Sequence, residues 1–189
     1  MEKLIIFSAP SGSGKTTVVK HLLKTFNKLA FSVSATTRKQ RPNEIHGVDY
    51  YFFSEEEFMK KVEDGEFLEH EEVYKGLHYG TLKSEVQRLW DEEKAVIFDV
   101  DVQGGIHIKE YYKEKALSVF LKPPSVEVLM ERLKNRDTEV EHELNERVSK
   151  AREELQFADQ FDVTIVNDRL NITFAEAENL VASFLESTI

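Results

Sequence analysis

The stretch Lys3 to Thr17, K-L-I-I-F-S-A-P-S-G-S-G-K-T-T, limits what this chain can fold into more than any other. Leu4, Ile5, Ile6 and Phe7 form a short apolar run that breaks into small residues and glycines. Lys15, Thr16 and Thr17 follow, and Val18, Val19, Leu22, Leu23 and Phe26 then recur at helical spacing. This order predicts a buried strand over Leu4 to Ser8, a loop, and a helix from about Lys15 to Phe26. A strand apolar on both faces belongs near the middle of a parallel sheet. Gly12 and Gly14 let the loop curl so that successive N–H groups converge on a phosphate, helped by the positive end of the helix. Lys15 adds a point charge at the β- and γ-phosphates, and the Thr16 hydroxyl is placed to hold Mg²⁺. A plain Gly/Ser turn accounts for the glycines but not for Lys-Thr at the helix start.

The loop pattern G-x-x-x-x-G-K-[ST] has Ala9 where its first glycine stands. Pro10 follows, and the residue before a proline is pushed into the extended region at negative φ. Alanine occupies that region freely, so glycine's extra freedom is not needed. The prediction is an intact loop with Ala9 extended.

With 189 residues the chain can build one full core with a smaller inserted lobe. Its net charge of −10 argues against general binding to nucleic acid or anionic membrane, so phosphates must be held in locally basic pockets. The absence of cysteine excludes disulfides and thiolate-bound metal. The six histidines are scattered without metal-ligand spacing. Leu4 to Phe7 is too short for a signal peptide or membrane span, and a cytoplasmic enzyme is the expectation.

Beyond the first helix, Leu29 to Ser34 is a strand candidate, and T-T-R-K-Q-R-P after it is a loop. From about Ser34 to Leu82 the character changes to a small mixed lobe. Val48 to Phe53 is strand-like, and Ser54 with Glu57 forms a capping box for a short helix ending near Gly65. Phe67 to Tyr74 and His78 to Gly80 flank a turn. Alternation then resumes: helix Leu82 to Glu92, strand Ala95 to Val100, helix Gly104 to Tyr112, strand Leu117 to Leu121. A helix capped by Ser125 follows, and a charged segment, Asn135 to His142, interrupts it before a long helix to about Ala158. Strand Val163 to Val166 and helix Phe174 to Leu185 close the chain. Five strands alternating with helices predict a parallel α/β sheet covered on both faces.

Asp99 and Asp101 sit at the carboxyl end of a buried strand, where ligands of open α/β sheets gather. Strand periodicity points both to one face, and one such carboxylate commonly reaches a Mg²⁺ beside a phosphate loop.

The motifs A-P-S-G-S-G-K-T-T, F-S-V-S-A-T-T-R-K-Q-R-P, G-V-D-Y-Y-F, G-E-F-L-E, Y-G-T, D-V-D-V-Q-G and I-V-N-D occur in this order over essentially the whole chain, which resembles the guanylate kinases. The resemblance implies the P-loop NTPase fold: a five-stranded parallel sheet flanked by helices, with an inserted GMP-binding lobe and a helical lid. The implied division is core 1–33, 83–134 and 148–189, lobe 34–82 and lid 135–147. It implies ATP as donor, held by Ala9, Pro10, Ser11, Gly12, Ser13, Gly14, Lys15, Thr16 and Thr17, with Thr16 and Asp99 at the metal. It places the acceptor phosphate of GMP or dGMP against Arg38, Arg41, Tyr50 and Tyr79, and a phosphomonoester dianion does suit guanidinium forks and phenols. Alone, the Arg38–Arg41 run is equally an exposed basic patch.

Guanine is implied at Ser34, Glu69, Thr81 and Asp101, where carboxylates accept from N1–H and the 2-amino group and a hydroxyl serves O6. Position 81 is more often serine in the family. Arg132, Arg136 and Arg147 are implied to close over ATP, Arg132 and Arg136 lying on one helix face. Asp137 stands where the family commonly has glycine. Asn167 resembles an asparagine on the adenine side, although capping or turn formation explains it equally well. Lys15, Arg38, Asp99 and the three lid arginines would then carry the transfer, which needs positioning and charge neutralisation, with no protein nucleophile or general base. Two other readings are a non-catalytic guanylate-kinase-like module that binds phosphorylated partners, and a kinase of the same fold with another acceptor. The intact Lys15-Thr16 and lid arginines oppose the first, and the paired carboxylates oppose the second.

Overall fold

The computed structural model describes residues 2–134 and 141–188. Leu4–Ser8 (β1) is buried along its whole length and pairs on both sides with parallel strands, Ala95–Val100 (β7) and Ala116–Lys122 (β8). Leu29–Phe31 (β2) extends the sheet beyond β7, and Val163–Val166 (β9) extends it beyond β8. The five-stranded order is β2-β7-β1-β8-β9, all parallel. Alternation along β1 sends Ile5 and Phe7 to one face and Leu4 and Ile6 to the other. The first face packs on Val18, Val19 and Leu22 of Lys15–Thr25 (α1) and Ala177 and Val181 of Leu170–Glu186 (α7). The second packs on Val86 and Leu89 of Lys83–Asp91 (α3) and Ile108 of Val102–Tyr112 (α4). A strand buried on both faces has to be apolar throughout, which is why Leu4–Phe7 reads as a continuous run.

A second sheet lies between β2 and α3 in sequence. Ala35–Thr36 (β3), Tyr51–Phe52 (β4), Phe67–Tyr74 (β5) and Leu77–Leu82 (β6) take the order β4-β3-β6-β5. Glu55–Glu63 (α2) packs on it through Phe58, whose ring stacks on Phe67 at 4.4 Å. The capping box at Ser54 and Glu57 is formed, with both reciprocal hydrogen bonds present. Val126–Lys134 (α5) and Glu141–Leu155 (α6) pair through Leu129, Leu133, Val148 and Ala151.

Several boundaries differ from the sequence expectation. The segment Leu29 to Ser34 is not one strand. Ser32 N–H makes the last bond to the core sheet, at the Ile97 carbonyl, and Val33 N–H turns to the Glu85 carboxylate instead. The chain then enters the second sheet at Ala35. Within Val48 to Phe53 only Tyr51 and Phe52 pair as strand, because Val48 and Asp49 turn back onto Ile45. The last helix begins at Leu170, four residues before Phe174, and its first turn buries Thr173. The penultimate helix ends at Leu155, and a separate 3₁₀ turn spans Ala158–Gln160. Of the segment 135–147 expected as lid, residues 135–140, including Arg136 and Asp137, lie outside the described residues.

Candidate active site

The loop after β1 is intact. Gly12 and Gly14 have φ of 84° and 92°, while positive φ among described non-glycine residues occurs only at Glu93 and Lys113. Ala9 therefore avoids the left-handed region, as its position before Pro10 requires, and its methyl packs into the core. Ser13 N–H closes a turn on the Pro10 carbonyl at 3.1 Å, and α1 starts at Lys15 with its first amides directed back into the loop.

Parallel register sets Asp99 beside Phe7, two residues before the loop begins at Ala9. The Lys15 ammonium lies 3.0 Å from Asp99 Oδ1 and also donates to the Val100 carbonyl. The Thr16 hydroxyl donates to Asp99 Oδ2 at 2.7 Å. Lysine, threonine and aspartate thus converge at the sheet's carboxyl edge, each placed by backbone rather than by a flexible loop. A cleft of about 760 Å³ opens over them, lined also by Lys20, Arg132, Arg147, Lys150 and Glu154. Arg132 of α5 donates to the Asn167 carbonyl at 3.0 Å, and Arg147 of α6 donates to the Ser11 hydroxyl of the loop at 3.0 Å, and both line the cleft. Asn167 is not at the cleft surface: it is 2% exposed, behind the loop.

A second cavity of about 220 Å³ adjoins the first, and Asp99 and Asp101 line both. Its remaining wall includes Ser34, Tyr50, Glu69, Glu71 and Tyr79 from the second sheet and its connections. Asp101 is not a strand residue, as the alternation argument had it. β7 ends at Val100, and Asp101 caps α4 by accepting from Gly104 N–H at 2.8 Å. Thr81 is buried and hydrogen-bonds Glu69 from behind, so of the pair it is Glu69 that faces the cavity. Burial pushes the Glu69 carboxyl up to about 7, against the Thr81 hydrogen bond, with Asp101 and Glu71 adding repulsion. Burial and the neighbouring Asp101 likewise raise Glu71, and burial raises Glu154.

At the outer end of this cavity Arg38 is held by Glu44 through two bonds, of 2.7 and 3.0 Å. The same carboxylate accepts from Arg41 N–H at 2.8 Å. Glu44 raises the proton affinity of Arg38 above its ordinary range, and a Tyr79 hydrogen bond adds to it. The Arg38 guanidinium also lies 5.3 Å from the Tyr50 ring centre, and the Tyr50 and Tyr79 rings are 6.0 Å apart. Arg38, Tyr50 and Tyr79 are therefore brought together, with the Arg41 side chain exposed beside them.

Sequence reasoning missed Glu44, Glu71, Lys150 and Glu154. Glu71 could have been found: it lies two residues from Glu69 on β5, hence on the same face. Glu44 carries no local signal, because its role depends on how the Arg38–Glu44 loop folds back. Lys150 and Glu154 reach the site only through the packing of α6.

A phosphate loop between a central parallel strand and its helix, with an aspartate at the end of the adjoining strand, defines a nucleotide-binding protein of the P-loop class. Comparison with known proteins narrows the class. The family model for guanylate kinase matches residues 1–184. A guanylate kinase of Bacteroides thetaiotaomicron is 51% identical over 97% of this chain and 90% of its own length. One of Porphyromonas gingivalis is 49% identical over 98% of this chain and 99% of its own. Among solved structures, guanylate kinase from Anaplasma phagocytophilum superposes with a TM-score of 0.72 at 28% identity, covering 98% of this chain and 87% of that one. The chain belongs to the guanylate kinase family.

Proposed function

We propose that the protein transfers the γ-phosphoryl group of ATP directly to the phosphate of GMP, and also of dGMP, giving ADP and GDP or dGDP. The observation that carries this is the junction of two cavities at the end of β7. One is built for phosphates by Lys15, Thr16 and the loop amides, and the other for a base by Glu69 and Asp101. A bond forms between an acceptor phosphate oxygen and Pγ while the bond from Pγ to the β-phosphate oxygen breaks. The acceptor is already an anion, so the residues need only align it and neutralise charge.

In this reading residues 9–17 hold the donor phosphates, and Arg132 and Arg147 steady the group in flight, joined by Arg136. Arg38, Arg41, Tyr50 and Tyr79 hold the acceptor phosphate. Ser34, Glu69 and Asp101 form the guanine pocket, and Thr81, expected beside them, acts from behind through its hydrogen bond to Glu69. Adenine has no 2-amino group and no N1 proton, and would leave the carboxylates of a closed pocket unpaired. The division into core 1–33, 83–134 and 148–189, acceptor lobe 34–82 and lid 135–147 follows from these roles.

Mg²⁺ fits beside the loop. The Thr16 hydroxyl and Asp99 carboxylate are hard oxygen donors 2.7 Å apart, and a cation that keeps several waters and binds phosphate oxygens asks for no more protein than that. It would supply charge neutralisation across the β- and γ-phosphates, with Thr16 and Asp99 holding it. A cytoplasmic location belongs to the same reading, since both nucleotides are found there. No helix among the described residues is long and apolar enough to cross a membrane.

The test is a coupled assay of ADP release with MgATP and either GMP or AMP. Turnover with GMP and little with AMP is expected. Turnover with AMP alone would overturn the base assignment, and none with either would favour a non-catalytic binding module. Lys15→Ala should abolish transfer while leaving GMP binding near wild type.

A further inference from the structure

Asn167 follows β9 and sits behind the phosphate loop, 2% exposed, with every polar group of its side chain engaged. Its Nδ2 donates to the Ser13 carbonyl at 2.8 Å. Its Oδ1 accepts from the Thr173 hydroxyl of α7 at 3.0 Å, and Thr173 is itself fully buried. Its main-chain N–H donates to the Lys122 carbonyl at 2.8 Å, tying it to the end of β8, and its own carbonyl accepts from Arg132 at 3.0 Å. A Cβ on Gly14 would run into Asn167 Nδ2, so the amide fills the space that the glycine leaves.

We propose that Asn167 is a positioning residue of the donor-phosphate site, rather than a reader of the adenine base. The Ser13 carbonyl faces Asn167 and not the cleft, and Ser13 is the one residue from Ala9 to Thr17 that does not line the cleft. Holding that carbonyl inward sets the plane of the Ser13–Gly14 peptide, and its N–H, on the opposite side, is then turned outward toward a bound phosphate. The Ser13 carbonyl can only accept, so it fixes Nδ2 as the end that meets the loop, and Oδ1 is left to share the single Thr173 hydroxyl proton with the Arg169 carbonyl. Through its carbonyl the same residue anchors Arg132, so the loop and α5 share one fixed point. An amide bonded at both ends and buried behind the loop is not presented to a base in the cleft.

This inference rests on residues 9–17 being the donor-phosphate site, and its test separates the two. Inorganic tripolyphosphate carries the phosphates without a base, and ITP replaces the 6-amino group of ATP by a carbonyl. In Asn167→Ala, KM for ATP and the inhibition constant of tripolyphosphate should rise together by about tenfold, the effect of losing one buried hydrogen bond to a loop that must be rigid. The ITP-to-ATP ratio of kcat/KM and KM for GMP should stay within about twofold of wild type. Thr173→Val, which keeps shape and burial, should give the same pattern at about threefold and serves if the first variant folds poorly. A rise in KM for ATP with tripolyphosphate inhibition unchanged, or a collapse of the ITP-to-ATP ratio, would overturn the proposal in favour of base contact. Unchanged tripolyphosphate inhibition in both variants would overturn it as well. If tripolyphosphate fails to inhibit the wild type, or inhibits Lys15→Ala equally well, the donor-site assignment itself is what fails.

Discussion

Glu69 gives GMP binding a pH dependence that can be worked from the site. With its carboxyl pushed up to about 7, Glu69 in the free protein is ionised to roughly 9% at pH 6, half at pH 7 and roughly 91% at pH 8. Guanine offers donors at N1 and the 2-amino group, so only the ionised carboxylate accepts from both. Affinity should track the ionised fraction and rise about tenfold from pH 6 to pH 8. The monoester's own second ionisation, near 6, adds about twofold over the same interval, giving roughly twentyfold in all. In Glu69→Gln only the twofold part should remain. Calorimetry in two buffers of different ionisation enthalpy checks the cause: at pH 6 the wild type should release about 0.9 proton more per GMP bound than the variant. For folding the sign is opposite. The unfolded carboxyl ionises near 4.5 and the folded one near 7, so the free protein loses stability as pH rises between them, and bound GMP restores it. A twentyfold dependence that survives in Glu69→Gln would refute the assignment and point to Glu71 or Glu154, both also raised by burial.

Glu44→Gln should raise KM for GMP several-fold with kcat less affected, because it takes away the charge that holds both Arg38 and the Arg41 amide; steady-state kinetics decide this, and a lower KM would mean that Glu44 competes with the acceptor phosphate. Glu85→Gln should cost about 2 kcal/mol in a urea titration, since a fully buried carboxylate that accepts from Val33 N–H, the Tyr51 hydroxyl and Arg88 loses charge-assisted bonds and places an amide donor among donors. Gly14→Ala should cost about 2 kcal/mol and impair ATP binding, measured by the same titration and by KM, because φ of 92° strains any side chain and the new methyl displaces Asn167.

The core sheet was legible because its signals are local. Buried parallel strands must be apolar on both faces, and the observed bounds of β1, β7 and β9 are those expected from the sequence. The capping box of α2 was equally plain. The second sheet was harder, since β3 and β4 are two-residue pairings decided by tertiary contacts that leave no periodicity to read. Site residues divide the same way. Lys15 and Thr16 announce themselves by spacing, and Arg38 and Tyr79 needed the resemblance. Glu44 appears only once its own loop folds back on Arg38, and the clamp at Asn167 only once remote segments are packed, because a hydrogen bond across 154 residues has no sequence pattern. Asp101 faces the site beside Asp99 as expected, but it does so as the cap of α4, one residue past the strand, and not by strand alternation.

The distribution of charge explains how so acidic a chain can take up two anions and distinguish their ends. The larger cavity gathers Lys15, Lys20, Arg132, Arg147 and Lys150 against Asp99, Asp101 and Glu154, so it is locally basic within a molecule of net charge −10. The smaller one has Glu69, Glu71, Asp99 and Asp101 on its wall and no lysine or arginine, so it repels phosphate. A nucleotide entering there can settle only with its base inward and its phosphate toward Arg38 and the neighbouring tyrosines. Raised proton affinity at Glu69 and Glu71 moderates the repulsion among these acids, and on the proposed assignment guanine donors would take the place of the proton at Glu69. On the proposed assignment the two phosphates would meet beside Asp99, where Lys15 and Thr16 already converge. On that assignment the sign of charge in each cavity would itself orient both substrates.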